Sequence, residues 1–166
     1  MRQEFKMLTK LKEQLKKLTS SKDFKESGYL CSAFVMCVPK EVDEQNWQFD
    51  FYDPKKDKIT SYHVEPEIKK VNLEEDVFKD EKTKVNELKI EKNFVDFKKI
   101  YELAIQTLKE ECETPNKTII LLQQMEQPIW NLTFVTDSFK LVNIKIDAVT
   151  SKILDNKKID LLNWGT

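Results

Sequence analysis

Glycine and histidine are scarce in this 166-residue chain, which contains two glycines, Gly28 and Gly165, and one histidine, His63. A phosphate-binding P-loop, a dinucleotide fingerprint and a nucleophile elbow each need at least two closely spaced glycines, because the backbone turns sharply or approaches a ligand there. The sequence excludes these three motifs. A single histidine also removes most metal sites and most acid–base relays. We therefore expect no enzyme, no catalytic residue and no bound cofactor or metal.

Arginine is almost absent, since Arg2 is the only one. The 28 basic residues are otherwise lysines, and 29 acidic residues bring the formal net charge to −1. Proteins that recognise nucleic acids commonly use arginine side chains and a basic surface. The composition therefore predicts no nucleic-acid partner.

Long apolar segments are also missing. The longest apolar stretch, residues 29–38, is far shorter than the ~18 residues that a membrane-spanning helix needs. No secretory signal follows Met1. Cys31, Cys37 and Cys112 are expected to be three buried thiols in a reducing compartment. These features predict a cytoplasmic protein with no integral membrane segment, or an extracytoplasmic one if a leader has been removed.

The first half of the chain reads as one helix followed by three strands. Apolar residues recur at helical spacing over residues 5–18, which predicts a helix that packs on a sheet; its lysines would also suit a membrane surface. Residues 29–38 are apolar on both faces and predict a central strand. Residues 47–52 and 58–65 alternate between apolar and polar side chains, which predicts a hairpin.

The second half repeats this order. Asn93 is the expected N-cap of a helix whose apolar stripe extends to Leu108, and Pro115 is expected to stop it. Three further strands are predicted over residues 118–125, 129–136 and 141–154. Residues 66–92 are charge-dense and predict only a continued strand, a polar connection and a short strand near 85–90.

The two predicted hairpins also align in sequence. Residues 47–51 and 130–134 both begin with tryptophan and end with phenylalanine. This match predicts an α+β protein built from two tandem repeats, 1–88 and 89–166, each a helix on a three- to four-stranded antiparallel sheet. One fused domain is the alternative. Trp47 and Trp130 are expected to anchor each sheet against its helix, with a ligand-stacking role as the other possibility.

The last predicted hairpin resembles that of PepSY-type domains. Residues 146–154 read Ile-Asp-Ala-Val-Thr-Ser-Lys-Ile-Leu, and the family pattern is Ile-Asp-Ala-x-Thr-Gly-Lys-Ile-Leu, with Ser151 at the glycine position. These domains are small helix-plus-antiparallel-sheet modules, related to cystatin-like sheets and found in thermolysin-type propeptides. The resemblance implies a non-catalytic fold that usually works outside the cytoplasm. It also implies a role in peptidase regulation.

The remaining candidates for chemistry have simpler interpretations. The alternation places His63 on the polar face of its strand, so we expect an exposed histidine rather than a partner of a cysteine nucleophile. The acidic runs 74–76 and 110–111 do not have calcium-loop spacing and are expected to be solvated. Trp164 lies in the tail, where it would either dock on the core or mark an interface.

These observations favour a non-enzymatic module that binds a protein or a peptide through a sheet surface or an exposed strand edge. The sequence does not point to particular binding residues. The alternative is a small-ligand-binding protein or enzyme that uses the concave face of a sheet, with an apolar pocket and convergent polar groups. Regulation of a peptidase is a third possibility.

Overall fold

A computed structural model of the chain describes residues 6–71, 75–76 and 84–163. These residues form two α-helices and nine strands, with short 3-10 helices at Pro39–Glu44 and Leu161–Asn163. In chain order the elements are α1 Met7–Thr19, β1 Tyr29–Cys37, β2 Gln48–Asp53, β3 Lys58–His63, β4 Lys69–Lys70, β5 Glu75–Asp76, α2 Phe97–Glu110, β6 Pro115–Gln124, β7 Pro128–Thr136, β8 Lys140–Asp147 and β9 Ile153–Asp160. Among the described residues, neither helix is long and apolar enough to cross a membrane.

All nine strands belong to one antiparallel sheet. Its order is β4-β3-β2-β1-β6-β7-β8-β9, and β5 pairs with β3 beside β4. The α+β class and the antiparallel sheet are confirmed. The prediction of two tandem modules, each with its own three- or four-stranded sheet, is wrong. The reason lies in β1, which pairs with β6 from Ser32↔Gln123 to Cys37↔Thr118. A strand that is apolar on both faces needs a neighbour on each side, and the first half supplies only β2.

One hydrophobic core serves both helices and the strands of both halves. Trp47 and Trp130 are fully buried in it. The Trp47 indole N–H donates to the Met7 carbonyl of α1 at 3.2 Å, and the Phe97 ring of α2 lies 4.7 Å from the Trp130 ring. The prediction that each tryptophan anchors its helix is confirmed. The two indoles also contact each other, with centroids 6.1 Å apart, so both helices lie on the same face of the sheet.

Helix α1 follows the predicted stripe, with a polar residue inside it. Leu11 and Leu18 are buried as expected, and Gln14 joins them at 5% exposure. The Gln14 side chain accepts the Trp47 backbone N–H at 2.9 Å and donates to the Asn46 side chain at 3.0 Å. Both ends of the buried amide are therefore satisfied, which allows glutamine to occupy a core position. The stripe packs on the sheet and not on a membrane surface.

Helix α2 begins and ends away from the predicted residues. Its N-cap is Asp96, whose side chain accepts the Lys98 backbone N–H at 3.3 Å, and not Asn93. The helix ends at Glu110, before Pro115, because Cys112 adopts φ 57° in a turn. Its buried face is the predicted one, formed by Phe97, Ile100, Tyr101, Ala104 and Leu108.

The strand predicted over residues 141–154 is two strands. Strand β8 ends at Asp147, whose carboxylate accepts the backbone N–H groups of Val149 and Thr150 at 2.8 and 2.9 Å. Ser151 then adopts φ 62°, a conformation that normally favours glycine. The chain reverses at this turn and returns as β9, which pairs with β8.

The segment 84–90 is tied to the sheet without forming the predicted strand. The Leu88 N–H donates to the Leu30 carbonyl at 2.7 Å, and the Tyr29 hydroxyl donates to the Val85 carbonyl at 2.6 Å. The Asn86 side chain reaches the Gln124 carbonyl at 3.5 Å. This segment therefore crosses the start of β1 and the end of β6.

Candidate functional site

The sheet face opposite the helices carries a polar cluster centred on Asp50 of β2. Its carboxylate accepts the hydroxyl groups of Ser32 on β1 and Ser61 on β3, at 2.7 and 2.6 Å. The Gln48 side chain donates to the same carboxylate at 3.0 Å. The cluster cross-links three neighbouring strands. The sequence did not reveal it, because the alternation of each strand says nothing about which residues oppose one another across strands.

His63 is exposed, as predicted, and the Cys31 thiol has a partner other than His63. His63 is exposed at the end of β3, opposite Gln48 in the register, as the alternation predicted. The Cys31 thiol is buried and donates to the Asp50 carbonyl at 3.3 Å. Burial, and secondarily the Asp50 charge, raises the pKa of the Cys31 thiol to about 12. A thiol that stays protonated is a poor nucleophile.

The three cysteines are free, but they are not all buried. Cys31 and Cys37 are buried as predicted, whereas Cys112 is exposed in the turn after α2. The prediction of three buried thiols is wrong at Cys112. Trp164, whose role was left open, lies outside the described residues.

The acidic runs form no metal site in the part of the chain that the structure describes. No group of three histidine, cysteine, aspartate or glutamate side chains there could hold a metal ion. The side chains of the run 74–76 lie outside the described residues. Glu110 is exposed as expected. Glu111 is not simply solvated, because its carboxylate accepts the Asn156 side-chain amide at 2.8 Å and lies 3.8 Å from the Lys158 ammonium.

A buried carboxylate, Glu113, joins the end of α2 to the last two strands. Its side chain is 4% exposed, accepts the Ser138 hydroxyl at 2.5 Å and lies 3.1 Å from the ammonium groups of both Lys140 and Lys158. The Ser138 hydrogen bond first, and then those from the lysines, lower the pKa of Glu113 to about 2. Glu113 is therefore ionised at neutral pH and fixes β9 to the helix. No local pattern signals this role, because every partner lies far away in the sequence.

Strand β9 forms one edge of the sheet. Among the described residues it pairs only with β8, from Lys140↔Asp160 to Ile146↔Ile153. The opposite edge differs, because β4 and β5 both pair with β3 there. A strand at a sheet edge presents backbone N–H and C=O groups that can pair with another chain. This edge is therefore a candidate binding site.

The register shows which backbone groups of β9 face outward. The Leu161 N–H donates to the Phe139 carbonyl at 3.0 Å, in continuation of the β8–β9 register. Hydrogen-bonded and non-hydrogen-bonded pairs alternate along an antiparallel ladder. Asn156 agrees with this alternation, since its N–H donates to the Asp155 carboxylate at 3.0 Å. The residues whose N–H and C=O point away from β8 are therefore Asn156, Lys158 and Asp160.

The side chains of β9 are mostly solvent-exposed, at six of its eight positions. Large apolar side chains at this end of the sheet are 40–70% exposed, namely Phe139, Ile153, Leu154, Ile159 and Leu162. The register shifts between Lys145 and Ile146, which makes Leu154 the extra residue of a bulge. The bulge interrupts the ladder there and leaves the part from Asp155 to Asp160 regular.

A depression of about 850 Å³ lies beside β9, and a small ligand would bind there under the alternative function. Its walls combine apolar and charged side chains, including Met125, Ile129, Leu154, Lys84, Lys145 and Asp155. It is largely open to solvent, whereas typical ligand sites enclose most of the ligand surface. This geometry suits a weakly held ligand better than a buried one.

No family model and no curated protein matches this sequence. Among solved structures, the fold is similar to that of a protein from Clostridium difficile 630 described as "a putative lipoprotein". The two chains are 12% identical, the TM-score is 0.51, and the match covers 95% of this chain and 97% of that one. Likeness at this identity shows the fold alone. The resemblance of residues 146–154 to PepSY-type domains stays an interpretation of the sequence.

Proposed function

We propose that this chain is a non-enzymatic interaction module that binds an extended protein segment or peptide as an added strand on β9. The supporting observation is the outward direction of the N–H and C=O groups of Asn156, Lys158 and Asp160. These groups have no strand partner among the described residues. Added strands gain affinity from such backbone groups and specificity from alternate side chains.

The side chains along β9 define the chemistry of the partner strand. Asp155 and Lys157 lie on the helix-free face, because they pair with Lys145 and Asn143 of β8. A partner strand therefore fits best with a cation opposite Asp155 and an anion opposite Lys157. Exposed Ile159 adds a preference for an apolar residue at one end of the pairing.

Two contacts on the helix face of the sheet hold β9 in place. Lys158 lies 3.1 Å from the buried Glu113 carboxylate, and the Asn156 side chain donates to Glu111 at 2.8 Å. Both contacts tie the edge strand to the end of α2. A binding edge that is already ordered loses less conformational entropy when a partner binds.

The test is to remove one outward N–H from the edge. The Asn156→Pro variant deletes that donor, and proline is tolerated on an edge strand where the N–H faces solvent. Asn156→Ala is the matched control, because it also loses the contact to Glu111 but keeps the N–H. We expect peptides selected from a random display library on the wild-type protein to bind Asn156→Ala and to lose binding to Asn156→Pro.

Amide exchange on the wild-type protein with a selected peptide completes the test. We expect slower exchange at Asn156, Lys158 and Asp160 once the peptide is bound. Peptides that bind Asn156→Pro as tightly as wild type, and that protect amides elsewhere, would show that the proposed edge is not the binding site.

The depression beside β9 supports a second candidate, a small-ligand-binding protein. Lys84 and Lys145 supply two cations, and Glu126 and Asp155 two anions, near the apolar side chains of Met125 and Leu154, a combination that suits a small amphipathic ligand with both charges. Binding of a small zwitterionic amphiphile that is lost in Lys145→Ala and kept in Asn156→Pro would favour this function over strand addition.

Peptidase regulation is a narrower form of the same proposal, in which the added strand belongs to a peptidase. Inhibition of a protease from the source organism, lost in Asn156→Pro, would support it. We keep the cytoplasm as the proposed compartment because the three cysteines are free. The lipoprotein description of the structural neighbour favours the extracytoplasmic alternative, and fractionation of source cells distinguishes the two.

A further inference from the structure

We propose that the partner of β9 is a second copy of this chain, paired antiparallel to it about a two-fold axis at Asn156. This inference rests on the proposed function, because it names the partner for the same strand edge. It follows from three features of β9: the direction of its backbone groups, the order of its charges and the position of its bulge.

Backbone direction limits the possible registers. In a symmetric antiparallel pair, the outward N–H and C=O groups of one strand must meet outward groups of the other. Asn156, Lys158 and Asp160 carry those groups in each copy. Four registers keep at least three residues of the regular part of β9 paired under this condition, with the axis at Asn156, Lys157, Lys158 or Ile159.

The charges of β9 and their existing contacts select one of these registers. An axis at Ile159 places Lys158 opposite Asp160, but Lys158 already lies 3.1 Å from the Glu113 carboxylate and the Asp160 carboxylate already accepts the Leu162 N–H at 3.0 Å. An axis at Lys157 or at Lys158 places that lysine opposite its own copy, and like charges in direct opposition destabilise a strand pair. An axis at Asn156 places Asp155 opposite Lys157 of the second copy, and Lys157 opposite Asp155. Both side chains lie on the same face of the sheet, so two ion pairs form across the axis, each between Asp155 of one copy and Lys157 of the other.

The two charged side chains contact each other within one strand, and the Asp155 carboxylate also accepts the Asn156 backbone N–H at 3.0 Å. Within one strand the Lys157 ammonium lies 3.5 Å from the Asp155 carboxylate, and the two side chains are 69% and 35% exposed. The pair Asp155–Lys157 across the axis is a non-hydrogen-bonded one, where opposing side chains come closest. Asn156 opposes Asn156 of the second copy, and their backbones exchange two hydrogen bonds once the Asp155 carboxylate turns from the Asn156 N–H to Lys157 of the second copy.

The bulge at Leu154 sets the length of the contact. In the register centred on Asn156, the regular pairing covers residues 155–157 of each copy, and Lys158 then comes level with the bulged Leu154 of the second copy. Beyond Asp155 the bulge interrupts the ladder, so the pairing stays short. A short edge-to-edge contact buries little surface, and we therefore expect a weak, reversible dimer that high salt weakens further.

Charge reversal tests the register directly. In Asp155→Lys, or in Lys157→Glu, both cross-axis pairs become like-charge pairs, and we expect the dimer dissociation constant to rise about tenfold or more. The double variant Asp155→Lys/Lys157→Glu restores two opposite pairs and dimerises like wild type. A mixture of the two single variants forms a heterodimer, because every cross-axis pair in it is complementary.

Sedimentation velocity over a wide concentration range measures these species, and native mass spectrometry identifies the heterodimer. Glu13→Lys and Lys12→Glu are matched controls on the exposed face of α1 and should leave dimerisation unchanged. Wild-type protein that stays monomeric at every concentration, or a dimer that the charge reversals leave intact, would overturn the inference. If the dimer fails this test, peptide binding that is lost in Asn156→Pro would still support strand addition. If no peptide binding depends on that position, both proposals are wrong.

Discussion

The indole rings of Trp47 and Trp130 lie 6.1 Å apart, centroid to centroid, in the middle of the core. Trp47 donates a hydrogen bond to the Met7 carbonyl of α1, and Trp130 packs against Phe97 of α2. Each indole therefore packs against one helix and contacts the indole that packs against the other helix. This contact makes the stability of the two halves interdependent.

Replacing Trp47 with alanine should therefore destabilise the whole chain. Truncation of a fully buried tryptophan leaves a cavity and costs about 3–5 kcal/mol. We expect urea unfolding to remain a single transition at a lower midpoint. Amide exchange should accelerate in β7 and β8 as well as in β2. Phe139→Ala is the control, because this side chain is 61% exposed and its loss should change stability by less than about 0.5 kcal/mol.

A loss of protection confined to residues before α2 would contradict a shared core.

A fragment of residues 89–166 also tests the shared core. It lacks the strand that pairs with β6 and the indole that packs against Trp130. We expect that fragment to show no cooperative melt. A cooperative melt would show that the second half carries a sufficient core of its own.

The sequence predicted the buried elements well because the apolar residues that face the core recur with the period of a strand or of a helix. The alternation at Thr60, Tyr62 and Val64 marks core positions correctly, and the stripe from Phe97 to Leu108 marks the buried face of α2. No residue pattern in a single sequence shows that β1 pairs with β6, since these strands come from opposite halves of the chain. Two separate sheets were therefore the wrong conclusion, although β1, β2, β3, β6 and β7 lie close to the predicted strands.

The candidate site was the part that the sequence predicted least. Strand β9 is exposed at most of its positions, so no apolar alternation marks it beyond Leu154. The turn that precedes it contains Ser151 at positive φ, where the resemblance placed a hairpin turn, but the strand that continues to Asp160 was not predicted. An edge strand can be recognised only once its neighbours are known, because its defining property is a missing partner.

Gly28 should be intolerant of any side chain. A Cβ atom at this position would lie 2.0 Å from the Tyr52 carbonyl oxygen, and that oxygen belongs to the backbone of β2. We expect Gly28→Ala to lower the free energy of unfolding by about 1–3 kcal/mol, because the paired strands must separate to admit the methyl group. Lys25→Ala on the exposed segment nearby is the control for urea unfolding. Equal midpoints for the two variants would contradict the close approach.

The three thiols should differ sharply in reactivity. Burial raises the pKa of Cys31 to about 12 and that of Cys37 to about 11, whereas Cys112 is exposed. Since the thiolate is the reactive species, a thiol reagent at mildly alkaline pH should modify one cysteine in the folded protein and three in denaturant. Cys112→Ser should abolish the fast reaction. Fast modification of Cys31 or Cys37 in that variant would show that the core admits the reagent.

The Glu113 carboxylate should make stability depend on pH in a defined acidic window. Its hydrogen bonds to Ser138 and to the two lysines lower its pKa from the usual 4.5 to about 2 in the folded chain. The folded state therefore keeps this group ionised while the unfolded state takes up a proton. The stabilisation is fully present above pH 4.5 and is lost as the pH falls toward 2.

Urea unfolding of Glu113→Gln across this range measures the effect. The difference in unfolding free energy between wild type and variant should be largest and constant above pH 4.5, and should shrink as the pH falls from 4.5 to 2. Glu110→Gln, at an exposed position of the same helix, should show no such trend. A difference that stays the same at every pH would mean that the charge of Glu113 does not hold β9 against α2. The amide of the variant can still accept a hydrogen bond from Ser138, so only the ionic part of the contact is removed.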